Sequence, residues 1–90
     1  MTEVAEPWTA RISVRPGRAE VAEWLARALG PEATREVPRA HAKVSRPAPD
    51  VVEVAIRAAD AGAMRAALNT YLGWVQLSLT TAEVARPPAR

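Results

Sequence analysis

The chain has 90 residues, and twenty of its apolar residues are Ala, which leaves 24 large apolar side chains for a core. That is one small domain, of a size that gains stability from a partner subunit. Twelve Lys+Arg against ten Asp+Glu give a net charge of only +2, and the absence of Cys with a single His excludes disulfides, thiolate catalysis and cysteine or multi-histidine metal sites.

The first seven residues are acidic and Pro-containing, with no apolar stretch of a secretory signal, and are expected to form a disordered tail. In residues 8–15 Trp8, Ala10, Ile12 and Val14 alternate with Thr9, Arg11, Ser13 and Arg15, the two-residue period of a half-buried strand. Pro16-Gly17 ends it. Residues 18–29 place Val21, Leu25, Ala28 and Leu29 on one helical face with Trp24 beside them. Gly30-Pro31 is expected to stop this helix, and residues 31–38 form a polar connection. A second strand is expected around 39–46, a stiff turn at Pro47-Ala48-Pro49-Asp50, and a third strand over 51–57. Asp60 suits the N-cap of a last helix running from 61 to about 85, with Pro87-Pro88 beyond it and a disordered tail over 86–90.

The order β-α-β-β-α predicts an α+β two-layer sandwich over residues 8–85. Its three-stranded antiparallel sheet takes the strand order 1-3-2, with both helices on one face and the other face open. No apolar run approaches the roughly 20 residues of a membrane span, so the chain is expected to be soluble and cytoplasmic.

Strand alternation then distributes the charge. The open face is expected to carry Arg11, Arg15, Arg39, Lys43 and Arg57 against Glu53, a net of +4, while Val51 and Ala55 also point outward. Such a face fits an RNA phosphate backbone, which is neutralised by Arg and Lys without base readout. It fits equally a wet sheet face that uses long charged side chains for solubility and edge protection. No aromatic residue joins the set and the four glycines never stand three apart, so stacked single-strand recognition and a GxxG clamp lack support. His41 lies between two alanines on this face and reads as an exposed polar residue.

The last helix is apolar on too many sides. At about 100° per residue Met64, Leu68, Tyr71, Leu72, Val75, Leu79 and Ala82 form one stripe that covers the sheet. Ala66, Ala67, Thr70, Trp74, Leu77, Thr81 and Val84 make a second weakly polar surface. Part of this surplus must pack on the first helix. The remainder, with Trp24, Trp74 and Leu77, has the character of a protein-docking strip. With two Asp, eight dispersed Glu, no glycine-rich phosphate loop and no Ser-His-Asp spacing, no active site, metal site or cofactor site is expected.

The segment Ala58 to Val84, AADAGAMRAALNTYLGWVQLSLTTAEV, carries a more specific signal. It resembles the small dimerisation subunit of the KEOPS complex (the Pcc family), whose last helix reads like LRaavNSyLrwlqLaletae. Met64-Arg65 matches Leu-Arg, Asn69-Thr70-Tyr71-Leu72 matches Asn-Ser-aromatic-Leu, and Trp74 to Leu79 match the following apolar run. Gly73 stands where that pattern has a larger residue. The resemblance implies a non-catalytic homodimer that docks its helices on the ASKHA-fold catalytic subunit and supports threonylcarbamoyladenosine modification of tRNA. On that basis Trp24, Arg65, Asn69, Trp74 and Leu77 are expected to meet the protein partner or a second copy. Arg11, Arg15, Arg39, Lys43 and Arg57 are expected to help hold tRNA. The competing reading from the residues alone is a free-standing RNA-binding module that uses the basic sheet face.

Overall fold

The computed structural model describes residues 7–33 and 38–85, with the side chains of residues 32, 33 and 82–85 excepted. The tails over 1–6 and 86–90, the middle of the 31–38 connection, and the side chains of Ala82 and Val84 lie outside the described residues. The elements are β1 (Trp8–Val14), α1 (Ala19–Ala33), β2 (Ala40–Ala48), β3 (Val51–Ala58) and α2 (Ala61–Ala85). The sheet is antiparallel throughout, in the order β1-β3-β2. The α+β class, the element order and the sheet order agree with the expectation from sequence.

One core explains this arrangement. On β3, Val52, Val54, Ile56 and Ala58 are all at most 1% exposed, as alternation with Glu53, Ala55 and Arg57 requires. They pack in one cluster with Ala22, Leu25 and Leu29 of α1 and with Ala63, Met64, Ala67, Tyr71 and Val75 of α2. Both helices therefore cover the same face of the sheet. α1 lies on β2 and β3 and does not touch β1, whereas α2 lies chiefly on β3 and β1.

Several local expectations need correcting. α1 does not stop at Gly30-Pro31 but continues to Ala33. Proline Cδ clashes with the N–H and Cβ of the residue before it, and Gly30, having no Cβ, escapes part of that clash. β2 runs on through Pro47 to Ala48, so the hairpin turn contracts to Pro49-Asp50. A register shift between Ser45 and Ala48 sets Ala48 opposite Val51, an even-numbered residue against an odd-numbered one. Strand alternation breaks there, and Val51 is 7% exposed where an outward position was expected. Trp8, expected to point inward, is 48% exposed because it begins an edge strand that α1 does not reach.

The stripe on α2 is also narrower than expected. Leu72 is 48% exposed, while Ala67, assigned to the surplus surface, is fully buried. Taking buried Tyr71 as the centre, Ala67 lies about 40° away around the helix and Leu72 about 100° away. Asp60 caps this helix as expected. Its Oδ1 accepts a hydrogen bond from the Ala63 N–H at 2.8 Å, and its carbonyl accepts one from the Met64 N–H at 3.0 Å. No helix among the described residues is long and apolar enough to cross a membrane.

Candidate interaction surfaces

The open face is a regular grid. β3 runs through its middle, with Arg57 opposite Thr9 on one side and His41 on the other. One step along, Ala55 lies between Arg11 and Lys43, and beyond that Glu53 lies between Ser13 and Ser45. Neighbouring strands are about 4.8 Å apart, which puts Arg11 and Lys43 about 10 Å from each other across the short side chain of Ala55. Two shallow, open depressions meet at Ala55 and Arg57: one is bordered by His41 and Lys43, the other by Thr9 and Arg11.

Arg11, Arg15 and Arg39, placed on this face by the sequence, each have an acidic neighbour. Arg11 Nε stands 3.7 Å from Glu53 Oε1, and Arg15 Nε stands 3.8 Å from Asp50 Oδ2 in the hairpin turn. Both arginines and Asp50 are well exposed while Glu53 is half-buried, and at these separations with a solvated guanidinium each pair contributes little to stability. Arg39 leaves the grid altogether. It precedes β2 with a left-handed φ of 65°, its carbonyl accepts a hydrogen bond from the Ala59 N–H, and its guanidinium pairs with Asp60 at the start of α2. The strand alternation that assigned Arg39 outward begins only at Ala40. Arg11, Lys43 and Arg57 are thus brought together, while Arg15 and Arg39 sit at the margins beside carboxylates. Lys43 has no ion pair among the described residues.

Asp60 joins the margin to the fold. Its carboxyl is held below its ordinary pKa first by the hydrogen bond from the Ala63 N–H and also by the charge of Arg39, against the opposing effect of desolvation. At the other helix, the Glu20 carboxyl is lowered by a hydrogen bond from its own backbone N–H and by Arg18, whose Nη2 donates to it at 2.7 Å.

The helix layer carries the second surface. Trp24 is 40% exposed on one flank of α1, and Leu77 is 64% exposed on α2. Trp74 is half-buried and meets Tyr71 edge to face, with ring centroids 5.3 Å apart and planes at 81°. Its indole thus belongs partly to the core. By helical geometry Trp74 and Leu77 share one flank of α2, about 60° apart, whereas Arg65 and Asn69 are exposed on its outward side. The five residues do not form one tight patch. The opposite flank holds Leu68 and Leu79, both half-buried, and exposed Leu72, which sequence reasoning placed in the core. Centring the helical wheel on Tyr71, in place of the whole apolar stripe, was the signal that would have separated it.

These features define a small two-layer α+β protein that offers surfaces and shallow depressions. Among the described residues no group of three His, Asp or Glu could hold a metal ion. The model of the transcription factor Pcc1 family matches residues 9–83, most of the chain, and the chain belongs to that family, one of KEOPS-complex subunits. A comparison with individual curated proteins gives no match.

Proposed function

We propose that this chain is the non-catalytic scaffold subunit of the KEOPS complex, acting in the cytoplasm as a homodimer. Its helix layer docks on the ASKHA-fold catalytic subunit and so supports threonylcarbamoyladenosine modification of tRNA. The observation that carries this reading is the exposure of Leu72 and Leu77 on opposite flanks of α2, a helix whose Tyr71-centred stripe already closes the core. An apolar residue left out on each flank, joined by Trp24 on the neighbouring helix, is the pattern of a covered surface. Arg65 and Asn69 would supply the polar rim around Trp74 and Leu77.

Co-expression with the ASKHA-fold catalytic subunit, followed by size-exclusion chromatography with light scattering, tests this. The expected particle contains two copies of each chain. A monomer that ignores the catalytic subunit overturns the reading.

A contribution of the open face to holding tRNA is supported by Arg11, Lys43 and Arg57, which border the trough at Ala55. With Glu53 beside Arg11, this cluster carries +2 and not the +4 expected from sequence, so the contact would be auxiliary. Reversing Arg11, Lys43 and Arg57 to Glu should lower tRNA affinity and reduce the salt slope by about 1 for each lost phosphate contact. Unchanged binding would return this face to a role in solubility.

A further inference from the structure

At the middle of the open face one short side chain is ringed by long ones. Ala55 is half-buried at the centre of β3 and lies on the side of the sheet away from the helices. Arg11 and Lys43 stand opposite it on the two neighbouring strands, and Arg57 follows two residues along β3. The rise of a strand puts the Arg57 Cα about 7 Å from that of Ala55, and Arg11 and Lys43 are about 10 Å apart across it. Three cationic side chains therefore rise around a single methyl group. Both depressions of this face include Ala55 and Arg57, one of them reaching Lys43 and the other Arg11.

This positive ground is small. Toward the hairpin the next outward residue of β3 is Glu53, whose Oε1 already stands 3.7 Å from Arg11 Nε. Toward the other end Thr9 and His41 flank Arg57, and β3 stops at Ala58. A run of linked phosphates laid along β3 would pass from Ala55 onto a carboxylate or off the end of the strand. Only a group placed over Ala55 is within reach of all three cations. Charge matching points the same way. Arg11, Lys43 and Arg57 against Glu53 leave +2. A phosphate monoester carries about −1.5 to −2 at neutral pH, whereas each diester of a nucleic-acid backbone carries a single negative charge.

We propose that Arg11, Lys43 and Arg57 form a seat for one phosphate monoester above Ala55, the terminal phosphate of a nucleotide or of an RNA chain in preference to the diesters within it. This rests on the phosphate-holding reading of the open face and deepens it, from a diffuse basic surface to one position with a stated ligand group. The planar forks of Arg11 and Arg57 suit paired N–H contacts to phosphate oxygens, and Lys43 adds a compact charge from the opposite side. The seat is open to water, so its grip is weak and falls with salt. Its contribution is selection at one point of a larger contact.

Titration of the full chain with monomethyl phosphate and with dimethyl phosphate, at neutral pH and constant ionic strength and followed by amide NMR, tests this. Monomethyl phosphate should shift the Arg11, Lys43, Ala55 and Arg57 amides together to saturation, and dimethyl phosphate should bind several-fold more weakly. Ala55→Leu fills the seat without altering the core side of β3, and Lys43→Gln removes one charge at an exposed position. Both variants should lose the monoester response, while Arg15→Gln, at the margin beside Asp50, should keep it. Equal responses to the two phosphates, or an unchanged response in Ala55→Leu, overturn the seat. Two further ligands separate the sources of a monoester that does bind. A 5′-phosphorylated RNA trinucleotide that binds more tightly than AMP assigns the seat to an RNA end, and AMP binding at least as tightly assigns it to a free nucleotide. If the seat fails while reversal of Arg11, Lys43 and Arg57 still lowers tRNA affinity, the tRNA contact stands without it. If monomethyl phosphate binds as expected and tRNA affinity ignores the reversal, the seat stands and the tRNA contact is overturned.

Discussion

The two helices cover the same sheet with apolar residues deployed in different ways. On α1, Ala22, Leu25 and Leu29 are at most 1% exposed, and Trp24 is its one large apolar residue left well exposed among the described side chains. Its pattern is that of a surface helix with one buried stripe, and the fold of a single copy accounts for nearly all of it. On α2 the buried stripe of Met64, Ala67, Tyr71 and Val75 is equally complete, yet Leu72 and Leu77 stand in solvent on either side. Burial in one copy explains α1 but only part of α2. The remainder of α2 is sequence that the isolated domain does not use, and that is where an assembly leaves its mark.

The largest effect should come from α1. Leu25→Ala removes a fully buried side chain and should lower stability by about 2–5 kcal/mol, measured by urea unfolding at fixed protomer concentration. A much smaller loss would mean that the core under α1 is looser than its burial indicates. Leu77→Ser should behave in the opposite way. At 64% exposure it should change the stability of the isolated chain by no more than about 0.5 kcal/mol, while weakening association with the catalytic subunit by tenfold or more, an effect of at least about 1.4 kcal/mol. Equal losses in both measurements would place Leu77 in the core and erase the difference between the helices.

Gly73 gives a smaller effect with the opposite sign. A Cβ added there meets nothing within 4 Å, and its φ is not left-handed. Gly73→Ala should therefore stabilise the chain by up to about 1 kcal/mol, read as a higher midpoint in the same titration. A lower partner affinity in that variant would show that the missing side chain makes room for another helix. Asp60 supplies the smallest and most specific test. Its carboxyl has a depressed pKa in the folded state, so its contribution to stability is fully present above the ordinary value of 3.8 and fades as pH falls through the folded value. Asp60→Ala should lower the melting temperature at neutral pH, and the gap to the native chain should narrow below about pH 4. A gap independent of pH would mean that the charge is irrelevant to the cap.

What the sequence made legible was whatever depends on local period. The alternation of Val52, Val54 and Ile56 placed β3, the spacing of Leu25 and Leu29 placed α1, and Asp60 placed the start of α2. Departures occur where a second element intervenes. Val51 is buried because the register of a neighbouring strand shifts, and Arg39 leaves the open face because Asp60, twenty-one residues on, lies beside it. Pro31 stays in α1, where glycine before it eases the local clash. The candidate surfaces were legible as residue types but not as groupings. Sequence alternation counted five cations on one face, whereas Arg15 and Arg39 stand at its margins beside carboxylates that belong to other segments.

The central claim is that the apolar surplus of α2 serves an assembly. Light scattering on the chain co-purified with the ASKHA-fold catalytic subunit, for the native sequence and for Leu77→Ser side by side, tests it most directly. The account predicts a particle with two copies of each chain for the native sequence and separate species for the variant. Separate species for both, or the same complex for both, would contradict it.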